Sequence, residues 1–498
     1  MSSPMQPELA IIGTRRQQRF APVIRRAASY AKEEKVSSIL VVAFFAAHVP
    51  LAILMSRSST VATFHVLGTI AVGLWVAVSS EKIERVAYVG AYITGAEALW
   101  RMTQAQSFWE IGKYGVAATF IVAMIRRRRT NPSILPILYF VLLLPSVWLT
   151  VRNSSPDEWR QMLSSDLSGP FALLVAACFF SQMTVTREGL VRIFLVLIGP
   201  IIGVASLAFS GIAMREEITF GLGSNFQTSG GFGPNQVSSV LGLGALACFL
   251  LLLNKKVDSK LKLLLGGLII ILSAQSALTF SRGGLYNLAG AIFFASFYVL
   301  RDTRTRLRFV VAVAVVVGVS YFLVFPRLDT FTNGTLSTRF ESTDPTGRDS
   351  IAMMDLDIWS KNPVLGVGPG KATEKRRQMG FEVTAHTEFT RLLAEHGTLG
   401  LVALLIFLAA MAHNLVKAKS AQQKALVVAF SSWTVLYMLG AGMRLVAPSF
   451  MFGLAFAHFA LERDGSTPST RIEAKRMPLR RLRRPELPQS PRISRQST

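Results

Sequence analysis

Long apolar stretches alternate with short charged connectors along most of the chain. Stretches of about 17 or more residues recur between residues 36 and 461, and this length matches a helix that crosses the hydrocarbon core of a bilayer. The pattern predicts an all-α polytopic membrane protein with about 12–14 transmembrane helices. The candidate spans lie near residues 36–55, 60–79, 86–102, 108–125, 134–151, 169–185, 190–210, 234–253, 263–280, 283–300, 309–325, 398–416, 424–441 and 445–461.

Composition supports this fold class. Of the 498 residues, 51% are hydrophobic and only 16% are charged, whereas soluble proteins are usually about a quarter charged. Cys178 and Cys248 both fall inside apolar stretches, so neither a disulfide framework nor a cysteine zinc site is expected. The first 35 residues are polar and basic, and no cleavable signal peptide is predicted.

The positive charges divide unevenly between the two sets of connectors that alternating spans create. One set, which includes both terminal segments, contains 36 of the 53 Lys and Arg residues. The positive-inside rule assigns this set to the cytoplasm, together with both termini, and assigns the other set to the outer face. The tail after Glu462 is basic and rich in Pro and Ser, so we expect it to be disordered and attracted to anionic lipids rather than to nucleic acid.

The segment 326–396 is the largest predicted extramembrane piece, about 70 residues long. A helix is predicted over 348–361, with Ile351, Met354, Ile358 and Trp359 on its apolar face. The next residues, Asn362 and Pro363, end that helix, and a glycine turn follows at 366–370. A second helix is predicted over 387–396, with Gly397 as its C-cap.

Three residues of the outer set are candidates for chemistry. Arg282 lies between two apolar stretches beside two glycines, either to bind a polar ligand or to reach the lipid headgroups. Arg348 is the first residue of the first loop helix. It is either a functional residue or a surface arginine exposed to solvent. His386 stands where a helix begins, and the positive helix end favours a neutral, base-competent imidazole, although a packed histidine is the alternative.

Two further acidic residues leave alternatives open. Glu395 either orients a base or has a structural role. Glu97, inside a predicted span, either lines a polar cavity or pairs with Lys113.

Two segments resemble a metal-binding motif and a phosphate-binding motif but lack features that these motifs require. Asp355 and Asp357 share the spacing of a metal-binding Asp-x-Asp motif, but two residues apart on a helix their carboxylates point in different directions. The glycine turn is not a phosphate-binding P-loop, because Leu365 and Ala372 stand where Gly and Ser or Thr are required. No metal site is predicted.

Several segments between about residues 225 and 400 together resemble the O-antigen ligase and O-antigen polymerase superfamily of membrane glycan transferases. Their order, spacing and shared face carry the resemblance. Relatives commonly have Asn directly after the histidine, where this chain has Thr387, which weakens any choice of subfamily. The segments are Gly233-Pro234-Asn235, Ser281-Arg282-Gly283, Arg348 ahead of a helix ending in Asn362-Pro363, the glycine turn at 366–370, Ala385-His386-Thr387 and the stretch from Leu392 to Gly400.

The resemblance implies a glycosyltransferase of the bacterial inner membrane that needs no metal or other cofactor. The donor is a glycan on undecaprenyl pyrophosphate at the periplasmic face, and the acceptor is a sugar hydroxyl of lipid A-core for a ligase. It also implies that Arg282 and Arg348 bind the pyrophosphate, that His386 accepts the acceptor's proton, and that the sugar is inverted. Supporting residues are Asn235, Arg391 and Glu395.

The alternatives are a polymerase, whose acceptor is a second lipid-linked glycan, a transporter of lipid-linked glycans, and a non-catalytic assembly subunit. A ligase is favoured over a polymerase by the single histidine-bearing helix and the short connector at about 211–233. The expected domains are a cytoplasmic basic segment at 1–35, a transmembrane bundle at 36–325, a periplasmic catalytic loop at 326–397, C-terminal transmembrane helices at 398–461 and a disordered basic cytoplasmic tail at 462–498.

Overall fold

A computed structural model describes residues 37–128, 132–214, 218–342, 347–381 and 385–461. The predicted terminal segments at 1–35 and 462–498 lie outside the described residues. The helices are α1 Ser38–Arg57, α2 Ser59–Ser79, α3 Ile83–Met102, α4 Ile111–Arg126, α5 Ile134–Val141, α6 Val147–Arg152, α7 Pro156–Ser181, α8 Arg187–Ala213, α9 Pro234–Leu252, α10 Ser259–Leu278, α11 Gly283–Val299, α12 Thr303–Val319, α13 Phe325–Phe331, α14 Thr335–Glu341, α15 Arg348–Lys361, α16 Lys371–Gln378, α17 Glu388–Lys417, α18 Ala421–Ala441 and α19 Ala447–Leu454. Two short strands, β1 Thr184–Thr186 and β2 His458–Ala460, are also present.

The all-α polytopic fold class is confirmed. Nine helical stretches within the described residues are long and apolar enough to cross a membrane. The other five candidate spans correspond to α3, to the shorter helices α4 and α11, and to two interrupted segments. One interruption lies between α5 and α6 at Pro145, since a residue before proline avoids helical dihedrals. The other follows α19, where the chain turns into β2 instead of continuing as a helix.

Contacts between connectors group them on two faces. On face one, formed by the connectors near 80–82, 182–186, 253–258, 300–302 and 418–420 and by residues 455–461, β1 pairs in parallel with β2. Lys256 also pairs there with Glu188 at 2.6 Å.

On face two, formed by the connectors near 103–110, 153–155, 214–233, 279–282, 332–387 and 442–446, Lys371 Nζ donates to the Asn153 carbonyl at 3.0 Å. Arg444 donates there to the Ala385 carbonyl at 3.0 Å. The grouping matches the two sets obtained from alternation, and the assignment of face one to the cytoplasm stays a prediction.

The loop between α13 and α17 contains the helix predicted over 348–361, but its buried face differs from the prediction. Ile351 and Ile358 are buried as expected, whereas Met354 and Trp359 are only half-buried and Asp355 is fully buried. The loop also contains α14 and α16, which hydrophobic periodicity did not predict. The sequence of α16, KATEKRRQ, has no apolar stripe.

Gly397 ends the first of the two predicted helices, as expected, and α17 continues beyond it after a kink. Its φ of +63° lies in the left-handed region, and the two predicted helices on either side of it abut as one element. A Cβ at this position would lie 2.5 Å from the Val364 carbonyl oxygen and 2.6 Å from the Gly366 nitrogen. Only glycine therefore lets the glycine turn pack on the kink.

Cysteine labelling tests which face is cytoplasmic. We expect Asp157→Cys on face two to react with a membrane-impermeant maleimide in intact cells, because its side chain is 98% exposed. Lys260→Cys on face one, also exposed, should react only after the membrane is opened. Both variants are made in a chain with Cys178 and Cys248 replaced by alanine. The reverse labelling pattern would contradict the predicted orientation.

Candidate active site

His386 lies two residues before α17, and Thr387 caps that helix by accepting a hydrogen bond from the Phe389 amide at 3.3 Å. The imidazole is half-buried, and its Nδ1 has no hydrogen-bond partner among the described residues. Burial, followed by the positive charges of Arg444, Arg348 and Arg376, lowers the pKa of His386 to about 4. The ring is therefore neutral near pH 7, with a lone pair available to accept a proton.

Asn235 connects the two predicted arginine segments. Its side-chain oxygen accepts from Ser281 Oγ at 2.7 Å and from the Arg348 guanidinium at 3.4 Å. Ser281 directly precedes Arg282, whose guanidinium donates to the Ser342 carbonyl. One amide oxygen thus holds the α10–α11 connector beside the first turn of α15.

Arg348 stands at the centre of a group of positive charges, called here the arginine cluster: Arg282, Arg339, Arg348 and Arg444. Burial and the charges of the other three arginines lower the pKa of Arg348 below its ordinary value. The same side chain acts on His386. Arg348 therefore lies within electrostatic reach of both of the other predicted residues, Arg282 and His386, in a strong positive field.

Two members of the arginine cluster were missed from the sequence. Arg444 lies in the connector between α18 and α19, two residues after Gly442 with φ +59°. A charge beside glycine between two apolar stretches is the signal that identified Arg282, and it applies equally to Arg444. Arg339, which donates to the Phe280 carbonyl at 3.1 Å, lies in the unpredicted helix α14 and had no such signal.

Arg391 and Glu395 form a buried ion network with Glu388 and Asp166. Arg391 lies 2.6 Å from Glu395 and 3.5 Å from Asp166, and it also pairs with Glu388. Glu395 accepts a hydrogen bond from the Gly370 amide at 3.1 Å. These contacts hold the glycine turn and α7 against α17, so they support the structural alternative for Glu395.

Asp355 joins the three loop helices. One carboxylate oxygen pairs with Arg376 of α16, and the other accepts from Thr390 Oγ1 of α17 at 2.8 Å. Asp357 points away and pairs with Lys361 at 2.7 Å on the surface. The two carboxylates therefore diverge, as the sequence predicted. Within the described parts of the chain, no group of three or more His, Cys, Asp and Glu residues has the arrangement of a metal site.

A polar cavity of about 740 Å³ adjoins the site on face two. Its walls include Ala385 next to His386, Arg444 of the arginine cluster, and the acidic residues Asp166 and Glu388. Trp109 also lines it and is 60% exposed. The cavity thus joins the arginine cluster to a wall that contains carboxylates and an indole ring.

Buried ion pairs support this wall. Arg101 lies over the Trp109 ring at 4.7 Å from the centroid and pairs with Glu97 at 2.7 Å. Lys113 pairs with Glu110 at 2.6 Å, so the partner of Glu97 is Arg101 and not Lys113, which was one of the two alternatives for it. Glu97 also accepts a hydrogen bond from the Val446 amide at 2.5 Å, which fixes the connector that contains Arg444.

Replacing Asp355 tests whether it joins the loop helices. Asp355→Asn removes the carboxylate partner of a fully buried guanidinium, so we expect a loss of about 3–5 kcal/mol in the free energy of unfolding. Asp357→Asn, the same change two residues away on the exposed side, should cost less than about 1 kcal/mol. Denaturant unfolding in detergent measures both. Equal losses would contradict the buried connection.

The pH dependence of His386 tests the influence of the arginine cluster. With a pKa of about 4, the wild-type ring should remain reactive to diethyl pyrocarbonate at about pH 5.5, where an ordinary histidine is mostly protonated. Arg348→Gln removes a positive neighbour, so it should raise the pKa and move the loss of reactivity to higher pH. Mass spectrometry of the peptide containing His386 measures the modification, with Arg327→Gln as control. A midpoint that does not move would contradict this account.

The comparison with known families agrees with the geometry. Residues 267–405 match the family model described as O-antigen ligase. The match includes Arg282, Arg348 and His386, whereas Asn235 and Arg444 lie on either side of it. No curated protein sequence matches the chain. The resemblance inferred from the motifs is thereby confirmed over residues 267–405 of this multi-pass membrane protein, which match the O-antigen ligase family.

Proposed function

We propose that the chain is an O-antigen ligase-type glycosyltransferase of the bacterial inner membrane, acting at the periplasmic side. It transfers a glycan from undecaprenyl pyrophosphate to a sugar hydroxyl such as one of lipid A-core. The observation that carries the proposal is the arginine cluster beside a neutral His386 on face two. The family match over 267–405 supports the same class of reaction.

The arginine cluster suits a diphosphate leaving group. Guanidinium groups donate paired hydrogen bonds to phosphate oxygens and remain charged at working pH. Arg348 is half-buried, and its charged neighbours repel it. A bound diphosphate relieves that repulsion, and in the transition state it accumulates the charge released by the breaking bond. Electrostatic stabilisation of this kind is usually the largest contribution to catalysis.

His386 suits the role of general base once the donor is bound. Two cluster arginines lower its pKa, and the negative diphosphate counteracts their field, so donor binding raises the basicity of the ring. The acceptor oxygen then attacks the anomeric carbon, the bond from that carbon to the phosphate oxygen breaks, and the hydroxyl proton passes to the imidazole. A single displacement inverts the anomeric centre and releases undecaprenyl pyrophosphate.

The cavity beside Ala385 is the place for the acceptor in this proposal. The Asp166 carboxylate accepts a hydrogen bond from a sugar hydroxyl, and the exposed ring of Trp109 stacks on a sugar face. A volume of about 740 Å³ lies within the range of known ligand pockets.

An acceptor on lipid A-core is favoured over a second lipid-linked glycan. The α8–α9 connector, at about 214–233, is much shorter than the loop at 332–387 that bears the histidine, whereas a polymerase often has two comparable outer loops. The transporter alternative is less well supported, because the candidate residues concentrate at one face. Metal independence stays a prediction.

A reconstituted transfer assay tests this proposal. The purified chain is given a glycan on undecaprenyl pyrophosphate, with and without lipid A-core, and the released undecaprenyl pyrophosphate is measured. We expect release that depends on lipid A-core, with a loss of at least about 100-fold in His386→Ala. Losses of at least about tenfold are expected in Arg282→Lys and Arg348→Lys, since lysine keeps the charge but lacks the planar fork.

Arg327→Lys, at an exposed arginine in α13 outside the cluster, is the matched control and should retain activity. Lengthened lipid-linked glycan formed without lipid A-core would identify a polymerase instead. Donor that is never cleaved, or full activity in all three variants with normal membrane levels, would refute the enzyme proposal.

A further inference from the structure

A second polar pocket lies on face one, across the protein from the arginine cluster. It has a volume of about 240 Å³ and lies between the ends of α7 and α17, the start of α18 and the segment 455–459. Neither the family resemblance nor the proposed reaction gives it a role. Within the described part of the chain, its lining contains basic residues but no Asp or Glu, which indicates an anionic ligand.

Asn414 supplies the first observation. Its side chain is only 7% exposed, and its Nδ2 has no hydrogen-bond partner among the described residues. Buried polar groups are nearly always hydrogen-bonded, because leaving one without a partner costs about 1–3 kcal/mol. Asn414 lines the pocket, so a ligand whose acceptor atom lies beside its amide would satisfy that group.

The charges of the pocket supply a second, independent observation. Lys417, Lys419 and His458 line it, and no Asp or Glu does within the described part of the chain. Gln423 is already committed, because its Nε2 donates to the Phe459 carbonyl at 2.7 Å and its Oε1 accepts from the Ser420 amide at 3.1 Å. The charged groups left to meet a ligand are therefore the two lysines, which donate hydrogen bonds and carry positive charge.

From these two observations we propose that the pocket binds a phosphate-bearing anion. Phosphate oxygens accept several hydrogen bonds at once, so one group satisfies the Asn414 amide and both lysines. The site lies where α17 ends and α18 begins, at the level where phospholipid headgroups meet a membrane protein. A lipid headgroup and free phosphate share this chemistry, and the experiment below separates them. The site is independent of the proposed transferase activity.

Calorimetric titration of the full chain in a nonionic detergent tests the proposal. The probes are monomeric dihexanoyl phosphatidic acid and inorganic phosphate, added separately and in competition. Because the arginine cluster is also expected to take phosphate, the binding event is assigned by its sensitivity to substitution. It should persist in Arg348→Gln and weaken at least about tenfold in the double variant Lys417→Gln/Lys419→Gln.

The matched control is the double variant Lys260→Gln/Lys424→Gln, which removes the same charge outside the pocket lining on the same face and should bind within about twofold of wild type. Asn414→Ala should weaken binding as well, and the lysine variant decides the outcome if Asn414→Ala fails to fold. Competition by inorganic phosphate indicates a site for free phosphate, whereas phosphatidic acid binding without competition indicates a lipid headgroup. The absence of saturable binding, or equal affinity in wild type and the pocket double variant, would overturn the proposal.

Discussion

Repulsion among arginines is the interaction on which the arrangement of the site depends. Arg348 is half-buried, and the charged neighbours that lower its pKa are all arginines. Asn235 helps to hold it there by accepting from both Arg348 and Ser281 with a neutral oxygen. A carboxylate at this position would have neutralised the field, whereas an amide fixes the geometry and preserves it.

The loop is held rigidly enough for that field to act on one imidazole. Asp355 connects α15, α16 and α17 through a single buried carboxylate. Further along α17, Glu395 and the kink at Gly397 hold the glycine turn against the same helix. Contacts between several elements therefore hold the start of α17, which directly follows His386, in place.

The sequence was informative where the chemistry is local. Length and hydropathy predicted the spans, and a charge beside glycines at a span end singled out Arg282. The sequence failed where a residue's environment comes from distant segments. Asp355 was considered only as part of a metal-binding motif, because its partner, Arg376, lies in a helix without an apolar stripe and was not predicted to be near it. The partner of Glu97 was missed although it lies one helical turn away: Lys113 of the next helix was one alternative, whereas Arg101 is the residue that pairs with Glu97.

The small parallel sheet on face one has a consequence for biogenesis. Strand β1 follows α7, whereas its partner β2 follows α19, more than 270 residues later. During synthesis, β1 leaves the ribosome long before β2 has been made. The backbone N–H and C=O groups of β1 that later bind β2 therefore stay unpaired while the intervening helices enter the bilayer. Pairing of the two strands is therefore a late event in assembly, and it requires a chain whose helices have all been inserted.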